Sequence, residues 1–391
     1  MSNTTKTQHH ERVNVIEDYD RSTQDPAYNE KFRNWREKKD NPYAFRFKAD
    51  RREKVFNDSR GFEERSQEDD EKRIISRIMY ILGIALLIYI VIDTIIGKLL
   101  ALILGLIGFD IHINTFSSSM YGNVSSVVTT ILLVSSAELI IPAVYLQLKL
   151  KTPMRVGFMS KVTSSAEILL AIAVTLIVCT VVCLPTAYSS DSKEIFSYFR
   201  NTETNVYEWG QTEFVFYTVF SIVLLPIMSE IFVHGPVFAA LRQFGDPFAI
   251  VVTSAVSVLI TRNIAEIPAA LLISLTAGVF MLRSGTIMSA FIVSVIYRMY
   301  VFALIMLEGS SSANMLLRRN IFMLCAFIAG ALIFGTIYIT RKAKGKNRKC
   351  IVLYHSGITP VRRFCTAAKT FPFNAVAIVC VAEVLIKALF W

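Results

Sequence analysis

The stretch E-R-S-Q-E-D-D-E-K-R-I-I-S-R-I-M-Y-I-L-G-I-A-L-L-I-Y-I-V-I, residues 64–92, decides the class of fold. Up to Arg73 almost every side chain is polar or charged; beyond it only Ser76 and Arg77 interrupt an apolar run. A run of that length suits a helix crossing the hydrocarbon core of a bilayer, roughly 30 Å thick. The same boundary divides the whole chain of 391 residues. Residues 1–73 hold 17 Lys/Arg and 17 Asp/Glu, out of 41 and 31 in the chain, so the net charge of +10 belongs entirely to the apolar remainder. Hydrophobic residues make up 53% of the chain, charged residues 18%, and the mean hydropathy is +0.47. This excludes one soluble globular domain. It predicts an all-α, polytopic membrane bundle of about eight or nine spans over residues 74–391, behind a charged segment over 1–73.

Working outward toward the C-terminus, nine apolar stretches approach spanning length: 75–96, 124–147, 166–187, 213–232, 247–264, 266–283, 286–307, 320–340 and 372–390. The fifth and sixth are short and close together, which suits tilted, broken or partly re-entrant helices. The run L-L-A-L-I-L-G-L-I-G-F within 97–120 is long enough to lie along the interface. Working outward toward the N-terminus, the charged segment lacks the apolar run and cleavage site of a signal peptide. Its few apolar residues are mostly aromatic, among them Tyr28, Phe32, Trp35, Tyr43 and Phe45. Two readings fit: a docking arm anchored by aromatics, or a largely disordered, solvated cytosolic tail. Composition favours the tail, since so few apolar groups bury too little to offset the ordering entropy.

Basic residues set the expected orientation. They cluster before the first stretch (Lys72, Arg73), after the second (Lys149, Lys151, Arg155, Lys161) and after the eighth (R-K-A-K-G-K-N-R-K, 341–349). The expectation is an integral protein of the cell membrane with a cytosolic N-terminus, Lys346 in the cytosol and Glu203 outside. These residues are read as setting topology, with membrane lipids as neighbours and no nucleic-acid partner. Cys179, Cys183, Cys325 and Cys380 fall inside spans, and Cys350 and Cys365 in a cytosolic connection, so no disulfide framework is expected.

Ionisable groups at membrane depth mark a partner or a task. Glu138 and Arg298 lie inside apolar stretches, Glu230 and His234 end the fourth, and Arg262 and Glu266 stand at the ends of two more. Glu230 and His234 are four apart, as are Ser294 and Arg298, so each pair shares a helix face. One Glu and one His do not make a three-ligand catalytic metal site, and neither metal nor cofactor is expected. Glu230 is expected to pair with Arg262 or Arg298.

The segment P-I-M-S-E-I-F-V-H-G (226–235), with G-V-F-M-L-R-S-G-T-I-M-S-A-F (278–291), resembles the CPBP family of membrane proteases, which includes CAAX prenyl endopeptidases and bacteriocin-processing or self-immunity proteins. The resemblance centres on residues 213–307. It implies a site in which a Glu pair and later His and Asn residues activate water. The matching positions depart from that pattern. The first Glu of the pair is Ser229, with Glu230 retained; the motif Arg is His234; the two later His positions are Arg262 and Ser294; the Asn position is Arg298. These substitutions imply a catalytically inactive scaffold, or a homologue that binds a hydrophobic peptide or membrane-protein helix without cutting it. Two alternatives stay open. One is an active, glutamate-dependent endopeptidase with Glu230 and His234 as catalytic residues. The other is a small-solute transporter, for which paired repeats would be expected.

Overall fold

The structure is a computed structural model that describes residues 24–38, 41–45, 54–57, 61–64, 67–113, 120–187, 210–261, 266–308, 314–343 and 358–390. The charged segment contributes helix α1 (Pro26–Glu37) and a short hairpin, β1 (Lys54–Asn57) with β2 (Gly61–Glu64). Helix α2 (Gln67–Val91) starts with Glu68, Asp69 and Asp70 in its first turn, where carboxylates meet the positive end of the helix dipole. It continues through a π turn (Ile92–Ile96) into α3 (Gly97–Leu106), a run of 39 residues from Glu68 to Leu106. The apolar start of 97–120 is therefore a continuation of the first helix. It ends at a small antiparallel hairpin, β3 (Ile111–Ile113) and β4 (Met120–Gly122).

Helix α4 (Val124–Leu150) follows, capped by the Asn123 side chain on the Ser125 N–H. Short α5 (Met154–Gly157) leads to α6 (Ser165–Cys183). Helix α7 (Gln211–Val219) passes through a second π turn (Phe220–Leu224) into α8 (Leu225–His234), followed by α9 (Pro236–Leu241) and one 3-10 turn (Arg242–Phe244). Helices α10 (Asp246–Thr261), α11 (Ile267–Ser284), α12 (Met288–Glu308), α13 (Met315–Ala343), α14 (Pro360–Lys369) and α15 (Phe373–Phe390) complete the chain.

Among the described residues, seven helical runs are long and apolar enough to cross a membrane, and an eighth is added if α14 and α15, bent by 78°, count as one span. The molecule is thus an all-α, multi-pass membrane bundle. Nine separate spans are not reached. At 16 residues, α10 is only about 24 Å long, short of the roughly 30 Å core. It packs against α11 instead of standing as a full span.

Part of the head departs from the solvated-tail expectation. Tyr28, Phe32 and Trp35 recur at the four-three spacing of one helix face, and all three are buried. The rings of Tyr28 and Phe32, and of Phe32 and Trp35, are stacked. Trp35 Nε1–H donates to the Leu150 carbonyl at 3.1 Å, and Phe45 N–H donates to Gln243 Oε1 at 2.7 Å. Over residues 24–45 the aromatics act as anchors, since an indole or phenol whose polar atom also finds a partner loses little on burial.

The basic connections gather at one end of the bundle. Arg155 bonds Asp25 at 2.7 Å, and Arg363 bonds Glu71 at 2.6 Å. Glu167 receives Arg283 at 2.8 Å and Arg341 at 2.9 Å. A β-bridge joins Ser160 to Thr286. Lys346 and Glu203 lie outside the described residues.

Candidate functional site

Helix α8 is the centre of the arrangement, flanked by α4, α10 and α12. Pro226 opens its first turn, and Gly235 closes it. A Cβ on Gly235 would stand 2.2 Å from the Ile231 carbonyl oxygen, so no side chain fits there. Pro236 then starts α9. This break makes His234 the last residue of α8, with Glu230 one turn before it on the same face.

His234 Nδ1 lies 2.5 Å from Glu230 Oε2, and the Ser294 hydroxyl on α12 donates to Glu230 Oε1. Glu230 is 6% exposed and His234 0%. Both carboxylate oxygens thus face a protein hydrogen-bond partner inside the bundle. The His234 ring meets Phe238 edge-on at 5.5 Å. Its other nitrogen, Nε2, is buried with no hydrogen-bond partner among the described residues. It faces α11, where a Cβ added to Gly278 would lie 3.4 Å from Nε2 and 3.4 Å from Ile250 of α10. One turn from Ile250 on α10 is Ser254, and one turn from Gly278 on α11 is Ser274. Both hydroxyls are buried and unpartnered in the same sense. Buried polar atoms are nearly always hydrogen-bonded. The α8–α10–α11 junction therefore has spare capacity to bind a polar group.

Of the residues singled out by sequence, Glu230, His234 and Ser294 come together. Ser229 is half-buried next to Glu230 in the chain. Arg262 lies outside the described residues. Arg298 does not hold Glu230; its guanidinium sits over the Tyr297 ring at 5.6 Å. Among the described residues Glu230 is held by His234 and Ser294, and Arg298 stands one helical turn, about 6 Å, further along α12 than Ser294; the expected pairing with Arg262 lies outside the described residues. Among the described residues no three His, Cys, Asp or Glu side chains converge as metal ligands would.

A second buried cluster escaped the sequence reading. Arg242 Nε donates to Asp246 Oδ1 at 3.0 Å, its Nη1 donates to the Tyr28 hydroxyl at 2.9 Å, and its guanidinium lies 5.8 Å from the Tyr28 ring centre. Gln243 Nε2 donates to the Tyr43 carbonyl at 2.8 Å. Arg363, buried against Glu71, also donates to the Phe244 carbonyl at 2.9 Å. The signal in the sequence is Arg242 and Asp246, four apart within an apolar region. An opposite-charge pair at that spacing can be buried together.

At the end of the bundle that carries this cluster, Asp25 caps α1 by accepting the Tyr28 N–H at 2.7 Å. The Arg155 guanidinium hydrogen-bonded to Asp25 holds its carboxyl below the usual range.

Compared with known proteins, the chain matches no family model, and neither a curated protein nor a solved structure is significantly similar to it.

Proposed function

We propose that this multi-pass membrane protein is a catalytically silent relative of the CPBP membrane proteases, one that receives a hydrophobic peptide or membrane-protein helix without cutting it. The observation that carries this reading is the double occupation of Glu230. A carboxylate serves as general base by taking a proton from water through a free oxygen lone pair. Here one oxygen takes the Ser294 hydroxyl and the other faces His234 Nδ1; each keeps a lone pair, but the group is sealed in the bundle, where an attacking water has little access. Ser229, Ser294 and Arg298 stand where the resemblance asks for Glu, His and Asn. The unpartnered atoms of His234, Ser254 and Ser274 suit a role in holding polar groups of a guest chain, a binding task that needs no activated water.

The test is incubation of the purified chain, in nanodiscs, with prenylated and leader-type peptides. The expected result is association without hydrolysis. Reproducible cleavage, abolished by Glu230→Gln at unchanged thermal stability, would overturn the reading and make Glu230 a base.

The basic end, which holds Arg155, Arg283, Arg341 and Arg363, is proposed to be cytosolic, with the protein in the cell membrane. A variant keeping Cys365 as its one cysteine is expected to resist an impermeant maleimide in intact cells and to react after permeabilisation. Labelling in intact cells reverses the orientation.

A further inference from the structure

Where the head meets the first span, the structure forms an open cavity of about 560 Å³. Arg73, Ser76, Arg77 and Tyr80 of α2 line it, with Tyr43 of the head and Phe371 of the turn between α14 and α15. Arg77 Nη1 donates to the Pro42 carbonyl at 3.3 Å, which fixes one guanidinium at the rim. That bond uses one of the five N–H donors a guanidinium carries. Lys72 lies 3.2 Å from Asp69, and Arg73 also engages other protein groups, so a ligand there shares its guanidinium.

The face of α2 that bears the two arginines continues into the membrane. Positions 73, 77, 80, 84, 87 and 91 alternate steps of four and three, so they form one stripe. Its first two members are cationic. The remaining four, Tyr80, Ile84, Leu87 and Val91, are aromatic or aliphatic. Tyr80 is 48% exposed, and Leu87 and Val91 are also uncovered. From Tyr80 to Val91 the stripe is about 16 Å long at 1.5 Å per residue. One leaflet of hydrocarbon, half of roughly 30 Å, has the same depth. Tyr80, an amphipathic ring of the kind that settles at a membrane surface, stands at the cavity beside Phe371, which is 72% exposed.

We propose that this cavity binds the phosphate headgroup of an anionic phospholipid, with Arg73 and Arg77 on the phosphate and an acyl chain along Tyr80, Ile84, Leu87 and Val91. Charge complementarity selects an anion. The cavity's continuity with an uncovered apolar stripe one leaflet deep selects a lipid over a free phosphate. Tyr43 brings the docked head to the cavity wall, so the lipid touches the head and the bundle at once.

The test is native mass spectrometry of the delipidated full chain, titrated separately with phosphatidylglycerol, phosphatidylcholine and glycerol 3-phosphate. Phosphatidylglycerol is expected to bind more tightly than phosphatidylcholine. Arg73→Gln and Arg77→Gln are each expected to weaken phosphatidylglycerol about fivefold, in line with one cation at a lipid surface. Lys149→Gln, at the same end but on α4, is expected to leave it unchanged. Leu87→Ser is expected to weaken the lipid and not glycerol 3-phosphate. Equal binding of the two lipids overturns the proposal. So does wild-type affinity in Arg73→Gln, or an equal loss in Lys149→Gln. Glycerol 3-phosphate binding as tightly as phosphatidylglycerol, with no effect of Leu87→Ser, makes this a soluble-phosphate site and overturns the lipid assignment.

Discussion

Arg242 and Glu230 are both charged groups sealed inside the same helical run, Gln211–Phe244, but their surroundings are finished to different degrees. Around Arg242 the carboxylate of Asp246, the hydroxyl of Tyr28 and the sulfur of Met159 all accept from the guanidinium. Around Glu230 the carboxylate is satisfied, yet its partner His234 keeps one nitrogen with no hydrogen-bond partner among the described residues, and Ser254 and Ser274, one turn from Ile250 and Gly278, are in the same condition. The first cluster joins the head to the bundle and is closed. The second is where the interior retains binding capacity. A buried charge by itself therefore does not mark a site; the hydrogen-bond shell around it has to be read as well.

The comparison breaks most directly at Arg242. Arg242→Ala leaves Asp246 buried without its partner. It is expected to cost about 3–5 kcal/mol, read as a lower denaturation midpoint in detergent. Residues 24–45 should become protease-sensitive in the same variant. The double variant Arg242→Met/Asp246→Leu should recover much of the midpoint, because the uncompensated charge is gone. If Arg242→Ala melts like the parent chain, the closed cluster is not a lock.

A smaller effect is expected at Glu230. Glu230→Ala strands the Ser294 hydroxyl and His234 Nδ1, at a cost of about 1–3 kcal/mol. Glu230→Gln keeps an acceptor for Ser294 and a donor toward His234, and should cost less than half as much. Equal losses in the two variants would mean that packing, not hydrogen bonding, sets the value of this position.

Smaller again are the two serines. If polar guests or water fill the junction, Ser254→Ala and Ser274→Ala each remove a ligand and destabilise by about 1 kcal/mol. A gain in stability in either variant would show a dry junction and erase the distinction drawn between the two clusters.

The smallest effect concerns Asp25, a partly exposed partner of Arg155. Its carboxyl is held below the ordinary value, so its contribution is complete above the unfolded-state pKa of about 4. That contribution disappears as pH falls through the lower folded-state value. Head cleavage by an acid-active protease should rise over that interval in the parent chain. In Asp25→Asn it should be higher at neutral pH and nearly level across the same range.

The bundle was legible because a bilayer imposes long apolar runs, and 75–96, 124–147 and 286–307 all became helices close to those bounds. Length defeated the reading of 247–264: hydropathy does not distinguish a full crossing from a 16-residue helix packed against its neighbour. Helical spacing placed Glu230 and His234 on one face. It gave no indication that Ser294, and not Arg298, would be the residue of α12 that reaches the carboxylate, since the rotation of α12 about its axis is set by packing. Composition averages over a segment, so it left the docked helix Pro26–Glu37 as one of two readings without selecting it. Three aromatics at four-three spacing anchor a helix whatever the charges around them.

The lock between head and bundle also has a timetable. Tyr28 is made early and its partner Arg242 follows 214 residues later. At about 5–20 residues per second the interval is on the order of 10–40 s. For rather more than half of it α1 has no Leu150 carbonyl for Trp35, and throughout it no guanidinium for Tyr28. A head with 17 positive and 17 negative side chains can wait in water without adhering to the ribosome or to anionic lipid. The synthesis of residues 236–246 is then the earliest moment at which Arg242 can hold Tyr28.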